Sequence, residues 1–508
     1  MTTNTHSLIS KFIRTSLLWR GPRIFATVLA FLTCCIFSAK PVWAHGFALR
    51  YDLPLPLNLY LVGSGFVVFI SFIIMARTRQ FGRSINSYRI PLSRFIPDKI
   101  FSHAIQILVR YTSALLLFLI IFSGLFGNQN PLKNIAPVTV WVVWWVGFVY
   151  VTALVGNTWP IVNPWSSIYQ GAQKIFGIRC KKQQYPSRFG VWPALILFII
   201  FAWIELVWAG AEQPRRLAII ILAYSGICWI GMSIYGHRTW LQHGEVFSII
   251  FGIFGRFSPI EIQSQEGPHL RPYGIGLLSQ RPASISLTVF VLTLLATVTF
   301  DGFMETPAWL QIKNSVLSTE SLRPPLLMVR STFGNLDTVF ETIGLISAPV
   351  TFIIMYFLTC SAVSWLDSRV GNPHGTAITT VMAARWFVLS VVPIAIAYHL
   401  AHYLSYFLIA GQLFIPLLSD PLGIGWNIFD TADRRVNIGI INAKTVWHIS
   451  IFVIVLGHVI AVYLAHATAL QVLKERQRAL ISQLPMTALM IGYTSFSLWI
   501  LAQPIVTN

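Results

Sequence analysis

The sequence predicts an all-α fold: a polytopic membrane helix bundle with about ten transmembrane helices after a signal peptide. Of its 508 residues, 55% are hydrophobic and only 10% are charged, and the mean hydropathy is +0.67. Soluble domains carry about 25% charged residues, so this chain cannot keep its surface in water. The apolar residues are gathered into successive segments of roughly 20 residues, the length that a helix needs to cross a bilayer. These observations exclude a soluble enzyme, a disordered chain and a disulfide-stabilised scaffold.

Residues 1–44 have the composition of a cleavable signal peptide. A basic region without acids precedes an apolar run over residues 24–39, and Val42-Trp43-Ala44 offers small residues at the positions that signal peptidase inspects. An uncleaved first helix is the alternative, because the basic region is long and Lys40-Pro41 interrupts the approach to the cleavage site. Cleavage would make His45 the first residue, whose amine and imidazole suggest copper binding; a plain signal-peptide junction is the simpler interpretation.

Ten further apolar segments form one transmembrane domain over residues 45–508. They are 57–76, 105–127, 138–156, 190–209, 217–235, 283–301, 342–366, 385–411, 446–470 and 486–504. Two external connections, 302–341 and 412–445, are too long for simple turns and are expected to fold over the mouth of the bundle. Between the fifth and sixth segments, the apolar stretch Trp240 to Phe254 with Glu245 predicts an interfacial or re-entrant helix.

The basic residues are distributed unequally between the two sides of the membrane. If the first segment after the signal peptide begins outside, the cytoplasmic connections hold 21 of the 36 Lys and Arg residues and the external segments hold 10. Cytoplasmic connections usually carry such an excess. The bias predicts a multi-pass protein of the bacterial inner membrane with both mature termini in the periplasm. The formal charge of +19 is then explained by topology, so the expected partner is the lipid bilayer and not nucleic acid.

The eighth segment contains a pair of histidines, His399 and His402. Counted from Arg385, His399 lies about 21 Å along a helix that rises 1.5 Å per residue, in the outer half of the bilayer. Residues three apart lie on one face of a helix. The spacing therefore suits two ligands of one metal ion, and a pair of helix-packing histidines is the alternative.

The ninth segment carries His448, His458 and His466 within a sector of about 80°. Only His448 matches the depth of the histidine pair in the eighth segment. His458 lies near the middle of the membrane, where it would donate to a carbonyl group or complete a deeper metal site. For His466, a hydrogen bond between helices is the simplest interpretation.

Four carboxylates are predicted in the same outer layer: Glu205, Asp301, Asp337 and Glu341. Imidazole and carboxylate together suit a divalent metal such as zinc, manganese or iron. In this hypothesis Asp337 or Glu341 acts as a further ligand or as the base, with His448 and His458 as additional ligands. Asp301 and Asp337 are also compatible with simple helix ends at the membrane surface.

Three stretches of the sequence are distinctive: HGFALRYDLPLPLNLY from His45, YHLAHYLSYFLIAGQ from Tyr398 and GHVIAVYLAH from Gly457. They resemble bacterial membrane proteins labelled fenitrothion hydrolases. The resemblance implies cleavage of an organophosphorus triester, an apolar small-molecule substrate, but it assigns no catalytic residue.

Three classes of function are compatible with these features. A metal-dependent hydrolase would use the metal to polarise a phosphoryl oxygen and to lower the pKa of bound water. A membrane transporter or metal-handling permease would use the histidine stripe of the ninth segment as a polar path. A b-type haem protein would need facing histidines at two depths, which the eighth segment supplies at one depth only.

The mature protein is expected to begin at His45, because the small residues before it suit signal peptidase. Mass spectrometry of the membrane-extracted protein should then find no peptide from residues 24–44. Recovery of those residues intact would show that the first helix is retained, and the charge-based topology would need a separate test.

Overall fold

The computed structural model describes residues 55–77, 89–95, 103–177, 182–262, 267–370 and 377–503. Within these ranges ten helices are long and apolar enough to cross a membrane. The polytopic all-α bundle expected from the sequence is therefore confirmed. The predicted signal peptide, residues 1–44, and His45 lie outside the described residues.

The spanning helices follow the predicted apolar segments in order. They are α1 Leu57–Arg77, α2 Ala104–Phe126, α3 Ile135–Leu154, α4 Ser187–Leu206, α5 Pro214–Tyr235, α6 Ile285–Met304, α7 Leu336–Val370, α8 Thr380–His402, α9 Ala443–Leu473 and α10 Arg476–Leu501. Two boundaries differ from the prediction in ways that affect the site. Helix α7 begins at Leu336 instead of residue 342, and α8 ends at His402 instead of residue 411.

Short helices, 3₁₀ turns and a small sheet connect the spans. The short helices are Trp159–Val162, Pro164–Phe176, His237–His243, Val246–Phe254, Pro307–Ser318, Arg323–Phe333, Leu404–Ala410 and Phe414–Ser419. The separate 3₁₀ turns are Leu92–Arg94, Pro131–Lys133, Ile275–Leu277, Glu320–Leu322, Gly411–Leu413 and Ile438–Ile440. The strands β1 Ile90–Pro91, β2 Ile260–Glu261 and β3 His269–Leu270 form an antiparallel sheet with β3 in the centre. Leu270 pairs with Ile90 on one side and with Ile260 on the other.

Helices α3, α6 and α8 form the centre of the bundle. In their most apolar stretches 72%, 78% and 72% of the residues are buried, compared with 11% in α2. Close packing of α8 on α9 depends on Gly457, where a Cβ atom would lie 2.4 Å from the Ala397 Cβ and 2.9 Å from the Pro393 carbonyl oxygen. Small residues let membrane helices approach in this way. The central helices are also the ones that carry the predicted histidine pair and Asp301.

The two long connections differ in structure. Residues 302–341 contain two helices, and Trp309 is buried against Phe300 and Leu345. Residues 412–445 are mostly irregular, and Trp426 remains 47% exposed. Only the first connection thus buries its tryptophan against the bundle.

The apolar stretch around Glu245 forms the helix Val246–Phe254, which is buried on nearly all sides. Glu245 is fully buried and caps this helix, with its carboxylate accepting hydrogen bonds from the backbone N–H groups of Phe247 and Ser248 at 3.0 and 2.7 Å. A carboxylate at a helix N-terminus satisfies free N–H groups and interacts favourably with the helix dipole.

Side chains from two other segments complete the surroundings of Glu245. Tyr224 of α5 donates from its hydroxyl at 2.5 Å. Trp159 Nε1 and Asn163 Nδ2, from the turn after α3, donate at 3.3 and 3.4 Å. The buried Glu245 carboxylate therefore joins three segments: α5, the helix Val246–Phe254 and the chain that follows α3.

A second buried acid joins α7 to α10. The Asp367 carboxylate accepts two hydrogen bonds from the Arg478 guanidinium, both 2.9 Å long, and a third from the Ile378 backbone N–H at 2.8 Å. The Asp367 side chain is fully buried. A bidentate pair with an added donor is the geometry that best offsets the cost of removing two charges from water.

Glu245→Ala is expected to lower the free energy of unfolding by about 3 kcal/mol or more, because it leaves several buried donors without an acceptor. Thermal denaturation of the purified protein in detergent would measure the change. Glu475→Ala is the matched control, because Glu475 is exposed and its side chain does not cap the helix that follows it. Equal stability of the two variants would contradict a structural role for Glu245.

Candidate functional site

Asp301 lies near the end of α6 and is only 8% exposed. His402, the last residue of α8, places its Nε2 atom 3.0 Å from Asp301 Oδ2. The next residue, Tyr403, donates its hydroxyl to the same oxygen at 2.5 Å. Because α8 ends here, consecutive residues can reach one carboxylate from two directions. We call Asp301, His402 and Tyr403 the Asp301 cluster.

Gly302 allows α8 to approach α6 at this point. A Cβ atom on Gly302 would lie 2.3 Å from the Tyr398 hydroxyl oxygen and 3.4 Å from His402 Cε1. The ring of Tyr398 stacks on that of His402, with centroids 5.8 Å apart. The glycine therefore makes room for both aromatic rings beside the Asp301 carboxylate.

A small cavity adjoins the Asp301 cluster and is lined by Glu205 of α4, Asp301, Tyr403 and Trp145, together with apolar side chains. Its volume is about 10 Å³, which is close to the space that one water molecule needs. Glu205 is partly buried and close enough to Asp301 for the two carboxylates to repel each other. The Trp145 indole also lines this cavity, and its buried Nε1 atom has no hydrogen-bond partner among the described residues.

His399 belongs to the same region but has different surroundings. Its ring packs edge-on against Trp145, Tyr150 and Tyr403, at centroid distances of 6.0, 6.2 and 4.7 Å. Among the described residues, no hydrogen-bond partner reaches its buried Nε2 atom. Trp145 lies in a π-helical stretch of α3, Val138–Gly147; such stretches are frequent at functional sites.

The predicted acids Asp337 and Glu341 interact with a lysine and not with the histidine pair. Asp337 Oδ1 lies 2.9 Å from Lys313 Nζ, and the Asp337 side chain is 61% exposed. Glu341, one helical turn later, is close enough to interact with the same ammonium group. Because α7 starts early, at Leu336, both acids face the helix Pro307–Ser318, whose lysine supplies the compensating charge.

The three histidines of α9 are also held by groups other than a metal. His448, which is exposed, and His458, which is buried, each place Nδ1 against the backbone carbonyl four residues earlier, at 2.7 and 2.8 Å. His466 Nδ1 lies 3.1 Å from the Gln483 side-chain oxygen of α10. The last contact is the hydrogen bond between helices that the sequence suggested.

The described residues therefore do not assemble the ligand set that the sequence predicts. In the part of the chain that the structure describes, no three His, Cys, Asp or Glu side chains are placed to hold one metal ion. His402 is paired with Asp301, and His399 lies among aromatic rings. Binding of zinc, manganese or iron stays a prediction from the sequence.

Sequence reasoning missed Tyr403 as a member of the site. A span over 385–411 treats Tyr403 as an ordinary mid-helix residue, whereas the end of α8 at His402 turns its hydroxyl onto Asp301. The sequence feature that could have identified Tyr403 is its position next to His402, since a buried tyrosine hydroxyl needs a polar partner.

Comparison of the chain with protein-family models, with curated proteins and with solved structures finds no match. The geometry of the site is therefore the basis for the functional argument.

Tyr403→Phe is expected to lower the free energy of unfolding by about 1.5–3 kcal/mol, the usual contribution of a hydrogen bond to a charged group. Thermal denaturation in detergent would measure it. Tyr406→Phe serves as the control, since Tyr406 is exposed at 42% and its change should cost less than about 0.5 kcal/mol. If both variants lose the same small amount, the Tyr403 hydroxyl does not stabilise the Asp301 cluster.

Proposed function

We propose that the protein is a proton-conducting permease of the bacterial inner membrane, with the Asp301 cluster as its proton-binding site. The observation that supports this proposal is a buried carboxylate held by an imidazole and a phenol, beside a second carboxylate across a water-sized cavity. Ionisable groups within membrane helices are costly and typically mark ion or proton pathways. The excess of cytoplasmic Lys and Arg supports a periplasmic position for this end of the bundle and for both mature termini.

Charge balance gives the proposed site its chemistry. A protonated His402 compensates the charge of only one carboxylate and is bonded to Asp301, so Glu205 has no cation of its own. If both acids were ionised, one negative charge would be left uncompensated in an apolar environment, which is expensive. One additional proton on the cluster removes that cost. The site is therefore suited to take up and release a proton as its exposure to water changes.

The size of the cavity favours proton exchange over direct chemistry on a large substrate. A space of about 10 Å³ suits one water molecule and is far smaller than an organophosphorus triester. Proton exchange with the aqueous phase requires only water at the site.

Hydrolysis of organophosphorus triesters is the second candidate, because the cavity can hold the water molecule that this reaction consumes. A water molecule there would contact Asp301, which with His402 forms an acid–base pair. The water oxygen would bond to phosphorus, its proton would pass to Asp301, and the bond from phosphorus to the leaving oxygen would break. The substrate would have to enter from the lipid after movement of the helices around the cavity. The resemblance to fenitrothion hydrolases implies this reaction.

Proton flux into liposomes would test the permease proposal. Purified protein is reconstituted with a trapped pH-sensitive dye, and a membrane potential is imposed with potassium and valinomycin. The wild type should conduct protons faster than empty liposomes, and Asp301→Asn should reduce the rate to that of empty liposomes because it removes the exchangeable carboxyl proton. Asp433→Asn is the matched control at an exposed acid and should retain the flux.

The same samples separate the two candidates. Wild-type flux no higher than that of empty liposomes, or full flux in Asp301→Asn, would overturn the permease proposal. Triester hydrolysis by the wild type that falls by roughly 100-fold or more in Asp301→Asn, without proton flux, would favour the hydrolase.

A further inference from the structure

A group of polar side chains extends from the Asp301 cluster deeper into the bundle. Thr299, two residues before Asp301 on α6, is hydrogen-bonded to the Tyr493 hydroxyl of α10. Tyr398 of α8 lies close enough to both Tyr493 and Asp301 to interact with them electrostatically. The Tyr398 hydroxyl also faces Gly302, next to Asp301. The two tyrosines thus extend from the Asp301 cluster toward α10.

His458 of α9 lies next to Tyr493 and continues this group. The two ring centroids are 6.0 Å apart. His458 is 1% exposed, and its Nδ1 atom lies 2.8 Å from the Ile454 carbonyl oxygen. Nδ1 must be the donor in that contact because a carbonyl only accepts, so the neutral ring has its lone pair on Nε2.

Three buried polar atoms around Tyr493 have no partner among the described residues: the Tyr398 hydroxyl, His458 Nε2 and Ser497 Oγ. Ser497 lies one helical turn after Tyr493 on α10. Buried polar groups are nearly always hydrogen-bonded to protein or to ordered water, and an unpaired one is costly. These atoms come from three helices, and bound water would satisfy their hydrogen-bonding capacity.

We propose that Tyr398, Tyr493 and bound water form a proton relay that connects the Asp301 cluster to His458. This inference rests on the proposed function and adds a second proton-accepting group to it. The Asp301 carboxyl O–H bond breaks, its proton bonds to the Tyr398 oxygen, and Tyr398 releases its original phenol proton toward Tyr493. Tyr493 in turn releases its proton to His458 Nε2, which becomes an imidazolium ion. Each phenol O–H bond that breaks is replaced by a new one, the O–H bond lost at Asp301 is matched by the N–H bond formed at His458 Nε2, the Nδ1–H bond stays in place, and no electron is transferred.

Tyr398→Phe is the decisive variant, because no described residue bonds to the hydroxyl that it removes. Its thermal denaturation midpoint in detergent should not fall. Its proton flux in reconstituted liposomes should nevertheless drop to the level of empty liposomes, as should that of Tyr493→Phe. Tyr463→Phe is the matched control, since the Tyr463 hydroxyl likewise lacks a partner within the described residues but lies elsewhere on α9; its flux should equal that of the wild type.

His458→Ala tests the end of the relay and carries a readout that a structural role would not affect. Flux lost in this variant should return when imidazole is added, because free imidazole can occupy the space and accept the proton. Unchanged flux in Tyr398→Phe and Tyr493→Phe, with flux still lost in Asp301→Asn, would overturn the relay and leave the proton-binding site standing. Absence of flux in the wild type would overturn the proposed function and the relay together.

Discussion

A carboxylate placed between membrane helices needs donors or a counter-charge, since neither water nor lipid is there to stabilise it. Three acids of this chain satisfy that requirement in different ways. Glu245 is surrounded by donors from three segments, Asp367 binds an arginine, and Asp301 binds a histidine and a tyrosine. Each acid therefore determines which helices must meet.

The surroundings of these three acids differ in how easily a proton can be exchanged with a neighbouring group. Asp367 is paired with a guanidinium that never loses its proton under ordinary conditions, and Glu245 accepts bonds from neutral donors on every side. Asp301 is paired with an imidazole, which can lose its proton where a guanidinium cannot. It also adjoins a second carboxylate and a water-sized cavity. Of these three environments, the one around Asp301 is suited to chemistry and the other two to stability.

Helix ends and small residues bring the site together. The end of α8 at His402 allows two consecutive side chains to reach Asp301, and Gly302 leaves the space that Tyr398 and His402 occupy. Gly457 performs a similar function between α8 and α9. The geometry of the site itself thus depends on backbone features of α6 and α8, two of the most deeply buried helices.

The sequence by itself determined the class of the protein and the order of its spans. Apolar segments of bilayer length and the scarcity of charge predict a membrane helix bundle. In lipid, the backbone polar groups of such a segment must be hydrogen-bonded within a helix. The sequence also identified His402, Asp301 and Glu205 as candidate site residues, since ionisable residues in apolar spans are costly and usually have a function.

Only the tertiary structure decided which of these residues meet. Asp337 is as close to a helix end as Asp301, yet it pairs with Lys313, while Asp301 pairs with His402. His399 and His402 share a helix face, yet one lies among aromatic rings and the other binds the carboxylate. Helical periodicity specifies the face on which a side chain lies. The neighbour opposite that face depends on helix rotation, on where a helix ends and on where a glycine permits close approach, and these are set by the packing of the whole bundle.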